Sequence, residues 1–259
     1  MVPVHWVIQE NQRDSVGVRA IVQSLESDGH VPHLVWLSRG TEVPAIPDLP
    51  DGAPLVCHGP GFITRAGHHP RLRLGLFFDP ATFCWSACRA GWEEKMLSVD
   101  GQVMSLSAAQ ELLGKGAAAF IRPDSDSKVF DGGVYDASSF AATTRKIPNR
   151  GEMSVMVASP VDIEAEWRFF IVEKEVVGCS EYRRWGRFST QGSVPHAAIE
   201  LAAELASRWS PAEVYCIDLA ASADRIGVVE ANCFNASQMY AAVVPRVLGA
   251  VNAYVLARA

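Results

Sequence analysis

The segment Val214-Tyr-Cys-Ile-Asp218-Leu-Ala-Ala-Ser-Ala-Asp224-Arg-Ile-Gly-Val-Val-Glu230-Ala-Asn232 decides the fold of this chain. Two strand-like apolar runs flank a polar connection centred near Asp224, the pattern of a hairpin. Symmetry about Asp224 sets Asp218 opposite Glu230. Side chains alternate along a strand, so Val228, Glu230 and Asn232 share one face, with Cys216 and Asp218 opposite them on that face. Carboxylates facing each other across a sheet bring their Cβ atoms to about 5 Å, which destabilises the pair unless a proton is shared or a cation intervenes. Ile217, Leu219, Val229 and Ala231 flank the acids, so the strands read as buried, where an unpaired carboxylate is costly. Two carboxylates and an amide carbonyl are hard oxygen donors of the kind that suits Mg2+. The competing reading is a register one residue off, with one acid turned to solvent.

Upstream, Phe120-Ile-Arg122-Pro123 ends a buried-looking strand, and Lys128 opens the next after a short polar loop, ahead of Gly132 and Gly133. An arginine fork and a lysine point charge so placed suit phosphate oxygens, although cations near turns are often only solvated. Between these two signals lies Met156-Val157-Ala158-Ser159-Pro160, an apolar strand that runs into Asp162-Ile-Glu164-Ala-Glu166-Trp-Arg168. Free backbone groups at the end of the first strand suit an adenine edge, and an acid opening the second suits ribose hydroxyls. Further strands are expected at 117–122, 128–135, 154–158, 167–173 and 176–182, and helices at 195–208 and 245–256.

The N-terminal residues read as strand (2–8), helix (Val18, Ile21, Val22 and Leu25 at helical spacing), strand (33–37) and strand (54–57), with Gly29 at the helix end. Strands alternating with a helix make a small parallel α/β lobe. Residues 41–54 and 59–70 read as loop. The fold class is therefore α/β plus α+β, divided at about residue 82 into a lobe (1–82) and a larger domain (83–259). A glycine-rich dinucleotide turn and a P-loop are both absent from the sequence.

The 259 residues carry a formal net charge of −6, which provides no basic field for nucleic acid. The N-terminus lacks a signal-peptide pattern, and Pro245, Arg246, Asn252 and Arg258 interrupt the one long apolar stretch, so neither export nor a membrane span is expected. Six scattered cysteines then read as reduced thiols in the cytoplasm. Cys84 and Cys88 can share a helix face, but no second pair completes a zinc site.

Taken in order, these segments resemble the ATP-grasp superfamily, in particular its branch with an arginine in place of the first nucleotide-binding lysine. Phe120-Ile-Arg122-Pro123 is similar to the family's strand ending in Lys-Pro. Val155-Met-Val-Ala158 looks like the hinge that holds adenine through backbone groups, and Glu166-Trp-Arg168 like the strand whose leading acid binds ribose. Asp218, Glu230 and Asn232 match the family's metal-binding Asp…Glu-x-Asn. The polar loop 125–133 is shorter and more charged than the family's. The resemblance implies an ATP-grasp fold preceded by a small Rossmann-like lobe. It implies ATP held by Arg122, Lys128, Met156, Val157, Ala158, Glu166 and Arg168, and Mg2+ held by Asp218, Glu230 and Asn232. The implied reaction joins a small-molecule or peptide carboxylate to an amine through an acyl phosphate. Arg183 or Arg184 is the candidate to stabilise that acyl phosphate, with a solvated basic turn as the equal alternative. A phosphotransferase on the same scaffold, a non-catalytic nucleotide-binding module and a structural α/β protein whose acids merely pair with Arg and Lys are the rival readings.

Overall fold

A computed structural model of the chain describes residues 2–12, 15–37, 47–65, 69–126, 129–148, 151 and 153–259. Lys128 and His68 lie outside the described residues, as do residues 41–46 of the expected loop 41–54.

The N-terminal lobe is a parallel three-stranded sheet in the order β2-β1-β3, with β1 at His5–Gln9, β2 at Val31–Val35 and β3 at Leu55–His58. Helix α1 (Val16–Ser27) makes the crossover. Ser15 caps it by accepting from Val18 N at 3.2 Å, and Val18, Ile21 and Leu25 are its buried face. Strand β2 begins at Val31, two residues before the expected start, and takes in Pro32. As an edge strand it tolerates a residue without an N–H. Two short helices, α2 (Pro60–Arg65) and α3 (Pro70–Arg73), occupy ground expected to be loop. Each opens on a proline, which fits the first turn of a helix, and neither is long enough to show a 3.6-residue period.

Beyond α4 (Trp85–Trp92) comes a four-stranded antiparallel sheet in the order β4-β7-β5-β6. Its strands are β4 (Gln102–Ser105), β5 (Ala119–Pro123), β6 (Gly133–Tyr135) and β7 (Ser154–Ala158). Helices α5 (Leu106–Leu113) and α6 (Ala137–Thr144) cover one face, packing Ala109 and Phe140 against Ile121 and Val157.

A five-stranded antiparallel sheet runs β10-β9-β8-β11-β12. It comprises β8 (Ala165–Val172), β9 (Glu175–Arg184), β10 (Arg187–Phe188), β11 (Val214–Ala221) and β12 (Ile226–Cys233). One face, with Trp167, Phe169, Ile217 and Ala231, packs on α7 (His196–Arg208) and α4. The lower half of the other face, with Phe170 and Cys216, packs on α1 and α8 (Val244–Leu256). That leaves the upper half of this second face open.

Buried amides join the lobe to these sheets. Asn235, just past β12, donates to Cys57 O at 2.6 Å and Gly75 O at 2.8 Å and accepts from Phe77 N at 2.7 Å. Asn252 on α8 accepts from Trp6 Nε1 at 2.8 Å. The architecture is the expected α/β lobe joined to an α+β assembly.

Candidate active site

The open half of the five-stranded sheet forms the floor of a cleft of about 540 Å³, and Phe120 and Arg122 from β5 overhang it. Strand β8 lies between β9 and β11, and this sets which side chains meet. Asp218 pairs with Arg168 on one side and with Glu230 on the other, while Glu166 pairs with Arg183. The opposition of Asp218 and Glu230 is the one expected from the symmetric hairpin. Past it the register slips by one residue, so Leu219 faces Val228 and Val229 is left as a bulge. The bulge corrects one expectation. Val228 is turned into the core with Ala231 and Cys233, while Val229 and Glu230 both reach the cleft. A second bulge, at Tyr182 on β9, puts Tyr182 and Arg183 side by side on the cleft in the same way.

The crowding of acids is relieved by arginines. Arg168 Nε donates to Asp218 Oδ1 at 2.8 Å and its terminal nitrogen to Oδ2 at 2.7 Å, a bidentate pair. Both groups are buried, at 7% and 1% exposure. Arg122 reaches across from β5 to Glu230 at 2.8 Å. Asn232 Nδ2 donates to Asp218 Oδ2 and to Glu230 Oε1, each at 2.9 Å. Burial pushes the Asp218 carboxyl above its ordinary value, Glu230 and Glu166 add to the rise, and Arg168 opposes it. Burial works against the Arg168 charge, yet Asp218 holds its guanidinium well above the ordinary arginine range.

Glu166 is also buried. It accepts from the Tyr182 hydroxyl at 2.7 Å and from Arg183 at 3.1 Å, so each of its oxygens has a donor. Tyr182 stacks on Tyr240 at 5.1 Å, and the Arg168 guanidinium lies 5.3 Å from the Tyr240 ring centre. Sequence reasoning passed over both tyrosines. Tyr182 is one more apolar-looking residue in a strand, and Tyr240 follows β12 in a segment with no periodicity.

Asp218, Glu230, Asn232, Arg122, Arg168, Glu166 and Arg183 thus converge on one cleft. Arg184 does not border it: its guanidinium is held by Glu181, which also accepts from Ser189 Oγ at 2.8 Å. Met156 and Val157 sit in β7 between β4 and β5, with ladder partners on both sides, and their side chains are buried. The free end of that strand begins at Ala158, where Ser159 N donates to Asp100 at 3.0 Å.

Among the described residues no three Asp, Glu, His or Cys side chains gather as a metal site. A cation here therefore needs the Asn232 amide. The donor set fits Mg2+, which takes few protein ligands and completes its shell with phosphate oxygens and water. Glu230 is 25% exposed at the cleft, and one lone pair of Asp218 Oδ1 lies outside the Arg168 fork. The Asn232 amide must turn its oxygen inward.

Residues 50–251 match the model of an ATP-grasp domain, family 3 of the R-2-K clade. Among solved structures, a RimK domain ATP-grasp protein from Sphaerobacter thermophilus is similar with a TM-score of 0.64 at 15% identity, over 97% of this chain and 99% of that one. D-alanyl-alanine synthetase A from Vibrio cholerae aligns with a TM-score of 0.60 at 13% identity, over 99% of this chain and 100% of that one. The ATP-grasp ligase PsnB, complexed with a minimal precursor, aligns with a TM-score of 0.56 at 10% identity, over 98% of each chain. At these identities the likeness shows a shared fold. No curated protein matches the chain.

Proposed function

Because this chain belongs to the matched ATP-grasp domain family, we propose that it is an ATP- and Mg2+-dependent ligase that joins a carboxylate to an amine. The observation that carries the reading is the cluster on the cleft floor. Asn232 hydrogen-bonds both Asp218 and Glu230, and arginines from two different sheets flank the two acids. Binding alone seldom requires paired buried carboxylates beside two cations.

On this reading residues 83–259 form the catalytic domain and residues 1–82 the lobe that helps select the substrate. Arg122 and Lys128 hold phosphate oxygens, and Glu166 holds ribose; adenine is held at the end of β7 from Ala158 onward, because the backbone groups of Met156 and Val157 are taken up by β4 and β5. Glu230 and Asn232, with the open lone pair of Asp218, hold Mg2+. When bound there, Mg2+ would neutralise phosphate charge and fix the geometry of the transfer. An oxygen of the substrate carboxylate attacks the γ-phosphorus, the bond to the β–γ bridging oxygen breaks, and ADP leaves with that electron pair. The amine then attacks the acyl carbon, phosphate departs, and the surplus amine proton passes to solvent. On this reading Arg183, which borders the cleft, binds the acyl phosphate oxygens and Arg184, turned to Glu181, is the weaker candidate, while Arg168 is engaged by both oxygens of Asp218 and holds that acid in position. The chain's contribution is mainly position and charge. Use of ATP and six free cysteines support a cytoplasmic location on this reading. No helix among the described residues is long and apolar enough to cross a membrane.

The test has two stages. Thermal unfolding with ATP plus Mg2+, with AMP plus Mg2+ as control, should raise the melting midpoint by roughly 5–10 °C at a hundredfold the dissociation constant. ADP release should then depend on both a carboxylate and an amine, with an amide as product. ADP release with a hydroxyl acceptor alone would point to phosphotransfer, and no nucleotide-dependent shift would remove the reading.

A further inference from the structure

The β9–β10 hairpin carries local costs at its turn and on its exposed edge. It turns in two residues, Trp185 and Gly186, with φ 50° and 71°, between the paired Arg184 and Arg187. Two-residue loops of this hand favour Asn, Asp or Gly at the first position, because a Cβ on left-handed backbone crowds the following carbonyl. A tryptophan there is strained and also leaves its side chain 65% exposed. Phe188, on the edge strand, is 74% exposed. Arg187 is exposed and enters no ion pair among the described residues. Of the three arginines near the turn, Arg183 is paired with Glu166 and Arg184 with Glu181, which leaves Arg187 as the unpaired cation of the tip among the described residues. Strain and exposed apolar surface at one place point to function rather than folding.

The tip is continuous with the cleft. Phe188 lies tilted on Tyr240 with centroids 6.2 Å apart, and Tyr240 stacks on Tyr182. Both tyrosines line the cleft beside Arg183. An aromatic strip edged with arginines therefore runs from the solvent-facing strand to the floor.

We propose that this strip is a docking lip for an acidic polypeptide and that the polypeptide supplies the carboxylate to be ligated. The inference rests on the ligase reading and names its substrate class. A cleft of about 540 Å³ is the size that encloses one drug-sized ligand. A nucleotide accounts for it, and a small carboxylate has no need of surface beyond Arg183. Tryptophan and arginine are the residues that most often carry binding energy at protein interfaces. Here Trp185 and Phe188 offer apolar contact, and Arg187 offers a fork for a carboxylate. Single-stranded nucleic acid can use the same residue types, but its dense charge meets an acidic protein beyond the lip.

The probe is a fluorescein-labelled peptide in which glutamate alternates with leucine, followed by anisotropy at low salt, with oligothymidylate of equal length as competitor. Trp185→Asn suits the left-handed backbone, so that variant folds with a melting midpoint at or above the parent's. Arg187→Glu reverses an exposed charge. The expected result is saturable peptide binding, weakened at least about tenfold by either variant, with the ATP-dependent thermal shift unchanged in both. Three results overturn the proposal: no peptide binding by the parent, undiminished binding by either variant, or tighter binding of the oligothymidylate. Peptide binding without any ATP-dependent shift would end the ligase reading and leave the lip standing.

Discussion

Replacing Arg168 by methionine should remove the only cation that touches Asp218 among the described residues. The pair is bidentate at 2.8 and 2.7 Å, Asp218 is 1% exposed, and its remaining donor is the neutral Asn232 amide at 2.9 Å. Breaking a buried pair by removing one partner costs about 3–5 kcal/mol, because the other charge stays buried and uncompensated. In a domain of this size that is a fall of roughly 6–20 °C in the melting midpoint. Removing both charges, as Arg168→Met with Asp218→Leu, should bring stability back to within about 1 kcal/mol of the parent. Urea unfolding followed by tryptophan fluorescence can read the cycle, since Trp167 adjoins Arg168 in β8. The pH dependence provides a separate check. Burial already pushes the Asp218 carboxyl upward, and without Arg168 only the neutral Asn232 amide opposes it. In the single variant the folded state then binds a proton that the unfolded chain releases above about 3.9. The deficit of Arg168→Met should therefore shrink as pH falls through the raised folded value and be smallest below the unfolded one. A loss under about 1 kcal/mol at neutral pH, or a double variant as unstable as the single, would refute the claim that Arg168 exists to hold Asp218.

Glu230→Gln should leave the fold intact, since it relieves an opposition of like charges, while abolishing Mg2+-dependent ADP release; full activity would remove Glu230 from the site. Arg122→Ala should weaken ATP at least about tenfold, the loss of one charge-assisted contact, whereas Arg184→Ala should not, because Arg184 is held by Glu181 away from the cleft. Equal effects on the ATP-dependent thermal shift would undo the placement of Arg122. Burial holds His58, at the end of β3, down at about 4 instead of 6.5. The unfolded chain therefore takes up a proton that the folded one refuses between those values, and stability should fall by about 3 kcal/mol as pH drops across the window. His58→Phe should flatten that slope in acid titrations of stability, and an unchanged slope would remove His58 as its source.

The pairing of Asp218 with Glu230 was legible because a hairpin's centre fixes its register, and alternation then assigns faces. The bulge at Val229 was not legible, since one unpaired residue in an apolar run leaves no mark on composition. The short helices α4, α5 and α6 were missed for a related reason: eight residues hold too few turns to separate a 3.6-residue period from scattered apolar positions. Arg122 was visible as a phosphate contact from its place at a strand end and Arg168 only by resemblance, both only in the role of nucleotide contacts. Their partners follow from topology, because β8 lies between β9 and β11 and β5 faces the open half of that sheet. No local pattern carries that information. A conflict was nevertheless visible from the start, in two acids set opposite each other on strands too apolar to be exposed. Local choices that disagree with burial tend to mark functional sites, and such a disagreement is relieved by a shared proton, a metal ion or cations from elsewhere in the chain. The fold supplies them from two separate sheets, Arg168 from the same one as the acids and Arg122 from the other. The hairpin alone therefore forecast a shared proton or a cation, read there as Mg2+; that arginines relieve the acids, and which ones, only the strand order could say.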